Sequence, residues 1–143
     1  MSDIEISMEK LRKKIYLTDY YFDNYNKFYE EKAFSKAAEY LWGVLNNLVT
    51  SIALFYGHKS LNHQQIISFV KTLAHEKKMG EMIEQMSAAN SLHANYYHDF
   101  MSEDDFEINK KKTLKLLETL KTILNELMSE INKTPEKLPR VQS

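Results

Sequence analysis

Cysteine is absent from the 143-residue sequence. Its absence excludes a disulfide scaffold, a thiolate zinc site, an iron–sulfur cluster and a cysteine nucleophile. It fits a reducing compartment, so a cytoplasmic protein is expected. Glycine occurs 3 times and proline 2 times, and both prolines, Pro135 and Pro139, fall near the end of the chain. A β-sandwich or barrel needs turn residues about every 8–12 positions, so those classes are excluded. Valine is scarce (Val44, Val49, Val70 and Val141), and arginine occurs only at Arg12 and Arg140. The three glycines are isolated, so there is no Gly-rich phosphate loop. A net charge of −1 supplies no global basic field to draw in nucleic acid. Apolar stretches break well short of the roughly 20 residues of a membrane span, and no membrane association is expected. The first residues, Met1-Ser2-Asp3-Ile4-Glu5, are acidic and lack the apolar core of a signal peptide.

What remains is a helix-forming chain. Hydrophobic residues make up 43% and charged residues 27%, a globular balance for one all-α domain. Residues 1–132 read as the bundle and residues 133–143, with both prolines, as a disordered tail. Five helices are expected. Met8, Leu11, Ile15, Thr18, Phe22, Tyr25 and Tyr29 recur at steps of three and four over a first helix, about 8–29. That segment holds most of the tyrosines, which read as a wet-edged core rather than a ligand cage. Ala38, Leu41, Leu45, Leu48, Val49, Ile52 and Phe55, widened by Trp42 and Ala53, mark a second helix over about 35–56. Gly57 suits the left-handed position that ends it. Gly43 lies inside it, at a cost of about 1 kcal/mol relative to Ala, which implies close approach of another helix.

Asn62 with Gln65 reads as a capping box, with Leu61 and Ile66 as its hydrophobic staple. Ser102 with Asp105 is a looser version, stapled by Met101 and Phe106. These place helix starts near His63 and Glu103. The third helix, about 63–77, should bury Ile66, Ile67, Phe69, Val70 and Leu73. The fourth runs from near Gly80 to about His98. The fifth, about 103–132, carries Leu117, Leu120, Leu124, Leu127 and Ile131 as a coiled-coil-like seam.

The five histidines invite a metal reading, which fails on spacing. A di-iron bundle needs Glu three residues before His. Phe55, Ser60, Thr72, Asn90 and Asn95 stand there instead. His75-Glu76-Lys77-Lys78-Met79 lacks the second histidine of a zincin. No metal and no cofactor is expected. Lys110, Lys111, Lys112 and Lys115 read as a solvated face offsetting Glu118, Glu126 and Glu130 rather than an RNA-contacting patch. The most informative segment is Asn90-Ser91-Leu92-His93-Ala94-Asn95-Tyr96-Tyr97-His98. It holds two histidines, two asparagines and two tyrosines, and helical phase sets Asn90, His93 and Tyr97 on one stripe. Its polar groups either hydrogen-bond across an interface or line a pocket.

The helix order resembles the HEPN superfamily, and within it the archaeal PaREP-type proteins. The residues that carry this are Lys36-Ala37-Ala38-Glu39-Tyr40-Leu41-Trp42-Gly43-Val44, then His63, then Leu92-His93-Ala94-Asn95-Tyr96-Tyr97. The resemblance spans roughly 8–131. It implies an up-and-down bundle of four to five helices, often dimeric. Many such proteins are metal-independent ribonucleases with an Arg and a His four to six residues apart. Neither Arg12 nor Arg140 has a histidine in that window, so no catalytic residue is carried over. Non-catalytic members partner other proteins, nucleotidyltransferases among them. The expected function is therefore a non-enzymatic, self-associating bundle binding a protein, RNA or nucleotide. Its candidate binding residues are Trp42, Asn90, His93, Asn95, Tyr97 and His98. The alternative is a divergent ribonuclease using His93 and His98 as acid–base groups.

Overall fold

A computed structural model describes residues 6–98 and 100–132, without the side chains of 96–98 and 132. Residues 133–143, expected as a tail, lie outside the described residues. Among the described residues there are five helices and no strands: α1 (Met8–Glu30), α2 (Phe34–Phe55), α3 (His63–Glu76), α4 (Glu81–His98) and α5 (Glu103–Asn132). The bundle expected from composition and periodicity is the one observed.

Side-chain caps set the helix starts. Ser7 Oγ accepts from the Lys10 N–H at 3.1 Å. At α3 the capping box is reciprocal: Gln65 N–H donates to Asn62 Oδ1, and Asn62 N–H to Gln65 Oε1, both at 2.8 Å. At α5 only half of such a box forms, the Asp105 N–H donating to Ser102 Oγ at 3.1 Å.

The helix ends follow one design with unexpected residues. Gly57 has φ +87°, and the His58 N–H closes on the Ala53 carbonyl at 3.0 Å, a Schellman motif. The same motif ends α1 and α3, but Lys32 (φ 60°) and Lys78 (φ 55°) hold the left-handed position. There the Ala33 N–H donates to Phe28 O and the Met79 N–H to Ala74 O, each at 2.9 Å. Gly80, expected near the start of the fourth helix, directly precedes Glu81, the first residue of α4.

Helix α2 is the central element and packs against all four others. It is apolar nearly all round, as a fully surrounded helix must be. Leu41, Val44, Leu45, Val49 and Ile52 are sealed from solvent. Each large one contributes on the order of 1.5–3 kcal/mol on burial. Its buried polar groups are satisfied by its own backbone: Ser51 Oγ donates to Asn47 O at 2.6 Å and Thr50 Oγ1 to Asn46 O at 2.7 Å.

Helix α1 runs antiparallel to α2, with Lys14 on Thr50 and Tyr21 against Gly43. Residues 57–62 then double back, so that α3 starts beside Trp42 and passes Tyr56 at Phe69, in the same sense as α2. Of the α1 tyrosines, Tyr25 is buried in the core, whereas Tyr16 and Tyr20 are exposed. Tyr29 stacks on Phe106, and its hydroxyl donates to Glu107. Lys110 Nζ donates to Glu107 Oε1 at 2.7 Å and to Tyr29 Oη at 3.0 Å. Burial opposes the Lys110 charge, but these two bonds prevail and push its ammonium up to about 12. Burial likewise pushes the Tyr25 phenol up to about 12. This knot ties α1 to the start of α5.

Candidate functional site

Helices α1 and α4 both pack on α2 without meeting each other, which leaves an open channel over one strip of α2. The floor is read off the α2 sequence at helical spacing: Glu39, Trp42, Gly43 and Asn46. Tyr21 of α1 forms one wall and His93 of α4 the other, enclosing a cleft of about 380 Å³. Gly43 is what lets α1 come this close. A Cβ there would lie 3.1 Å from Tyr21 Cδ2. The mid-helix glycine thus answers to the approach inferred from sequence.

Trp42 and two histidines form the aromatic side of the cleft. The Trp42 and His93 rings stack with centroids 4.4 Å apart and planes 22° apart. His63 joins them, 4.9 Å from Trp42 and 5.0 Å from His93. The capping box places His63 as the first residue of α3, which sets its ring against α2. Its orientation is then fixed from α4: His63 Nε2–H donates to Asn90 Oδ1 at 2.9 Å. Burial, and secondarily the neighbouring His63, hold the His93 imidazole below its ordinary range. His93 is therefore neutral near pH 7, able to stack and hydrogen-bond without charge.

The remaining lining is polar. Asn47 is committed, its Nδ2 donating to Gly43 O at 3.0 Å. Asn46 makes no side-chain hydrogen bond among the described residues, and Glu39 has no ion pair there. One helical turn beyond Asn46, Lys14 Nζ donates to Thr50 Oγ1 at 3.0 Å, its pKa lowered by burial and then by Lys10.

Of the six residues expected at the site, the structure brings Trp42, Asn90 and His93 together. Asn95 is elsewhere: it is buried, and its Oδ1 accepts the Met101 N–H at 2.8 Å, holding the turn into α5. The side chains of Tyr97 and His98 lie outside the described residues. His63, Tyr21 and Asn46 were not among the expected site residues. His63 had a signal in the capping box before it, but not the return path of residues 57–62. The basic run of α5 is partly paired, Lys110 with Glu107 and Lys112 with Glu84. No group of three or more His, Asp or Glu among the described residues could hold a metal ion. No helix there is long and apolar enough to cross a membrane.

No curated protein and no solved structure matches the chain. The profile of the archaeal PaREP1/PaREP8 family matches residues 13–117, most of the chain, and that span contains every residue of the Trp42 cleft. The chain belongs to the archaeal PaREP1/PaREP8 family.

Proposed function

We propose that this helical protein is a non-enzymatic, self-associating binding module, and that the Trp42 cleft takes a planar nitrogen heterocycle such as the base of a nucleotide or RNA. The observation that carries the reading is the Trp42–His93 stack, at 4.4 Å, set into the wall of a cleft of about 380 Å³. Flat, uncharged rings suit a base: stacking on one aromatic side chain is worth about 1–3 kcal/mol and tolerates any base. Asn46 offers an acceptor and a donor together, the pattern that meets an adenine edge. Glu39 at one end disfavours anions there, whereas Lys14 beyond Asn46 favours them.

Trp42 is the sole tryptophan, so its fluorescence reports this site alone. Saturable quenching by nucleotides that His93→Ala weakens supports the reading. An unchanged spectrum across a nucleotide panel contradicts it. Tyr16 and Tyr20, exposed one turn apart on α1, support the self-association. Light scattering that finds a strict monomer at tens of micromolar would remove that part.

One observation favours a second reading, metal-independent RNA cleavage as in the catalytic HEPN proteins. A histidine held neutral beside another is suited to general-base work. That reading requires cleavage in chelator that His93→Ala and His98→Ala together abolish.

A further inference from the structure

A second cavity, of about 330 Å³, lies between α3 and the segment that leads into it. Phe69 is its aromatic centre. Tyr56 stands edge-on to Phe69 at 5.4 Å and 88°, and His58 does so at 5.7 Å and 83°. Glu76 is the one carboxylate in the lining, and it makes no hydrogen bond or ion pair among the described residues. It is close enough to raise the Tyr56 phenol, though burial does more of that. Helix α2 ends at Phe55 and α3 ends at Glu76, so the lining takes Tyr56 and Glu76 from beside the carboxyl ends of both helices. Both dipoles favour positive charge there.

We propose that this cavity is a binding site for a small alkylammonium cation, distinct from the Trp42 cleft. An ammonium with its attached methyl or methylene groups is attracted to aromatic rings and desolvated at little loss. The Glu76 carboxylate supplies the opposite charge, and Ser68 and Thr72 in the lining offer oxygens to an N–H. An anion would meet Glu76 and two helix carboxyl ends. A neutral apolar molecule would leave Glu76 unpaired. The nearby cations Lys59, Lys71, Lys77 and Lys10, whose ammonium donates to the Lys59 carbonyl, are solvent-exposed and outside the lining, so salt screens them.

The test is amide NMR with choline chloride as probe, beside sodium chloride and 3,3-dimethylbutan-1-ol, the neutral isostere of choline. Choline should give saturable shifts at Phe69, Thr72 and Glu76 while the Trp42 indole signal stays still. Glu76→Gln, at an exposed position, should weaken choline about fivefold or more. Phe69→Leu should abolish binding. No saturable shift up to tens of millimolar, an equal response to the isostere, or undiminished binding by Glu76→Gln would each overturn the proposal. Quenching of Trp42 by nucleotides is read separately, so either site can fail alone.

Discussion

His93 is where a single side chain carries the most consequence. Its imidazole is held below the ordinary value of 6.5 by burial first and by His63 second. The unfolded chain therefore takes up a proton at higher pH than the folded one. The stability His93 contributes is complete above about pH 6.5 and drains as pH falls through its lowered folded value. His93→Asn, which does not titrate, should show a shallower loss of melting temperature on acidification below pH 6.5. Parallel slopes for the two proteins would contradict this origin. Gly43 makes a second residue-scale claim. Ala there gains about 1 kcal/mol of helix propensity. Its Cβ, however, meets a Tyr21 ring already flanked by Tyr20 and Tyr40 at 5.8 and 6.0 Å. Overpacking costs about 1–3 kcal/mol, so Gly43→Ala should be net destabilising by on the order of 1 kcal/mol in urea unfolding. Stabilisation by the full propensity gain would show that Tyr21 yields freely. Of these residues, Trp42, His93 and Asn90 were legible from residue type and helical phase. Phase alone does not say whether a buried amide faces a cleft or a turn, and Asn95 holds the turn into α5.

At the scale of elements, the boundaries were legible because caps are written in short sequence. Asn62 with Gln65 marked the start of α3 to the residue. Asn62→Ala should lower stability by about 1 kcal/mol, read by urea unfolding. The carboxyl ends were less legible. Sequence points to Gly for the left-handed position, yet Lys32 and Lys78 occupy it in two of three Schellman motifs. For Lys that conformation costs about 1–2 kcal/mol, and Gly gives back about 0.5–1 in chain entropy. Lys32→Gly and Lys78→Gly should each stabilise by about 0.5–1 kcal/mol. A loss of stability from either would mean that the lysine side chain holds its turn in another way. What no local signal could show was direction. Residues 57–62 contain one strong punctuation, Gly57, and nothing that tells the chain to run back and carry His63 to Trp42.

At the scale of the whole molecule, the cleft is a consequence of how five helices share one core. Helix α2 is buried on nearly every side, and α1 and α4 each take their own strip of it. The strip between them is where a glycine, a tryptophan and an asparagine replace the Leu and Val of the rest. The fold was legible from absences, few Gly and Pro and little Val, together with three-and-four periodicity. Trp42 and His93 were singled out as binding candidates, but the cleft's Tyr21 wall was not, because it depends on which helices fail to touch, a property of the assembly rather than of any segment. The central claim is that the Trp42–His63–His93 group receives a planar heterocycle, and Trp42 fluorescence tests it most directly. Titration with adenosine monophosphate should quench the emission saturably. Asn46→Ala and His93→Ala should each shift the midpoint upward by about tenfold, as expected for loss of about 1–2 kcal/mol of contact. Emission that stays constant, or quenching that both variants leave untouched, would contradict the account.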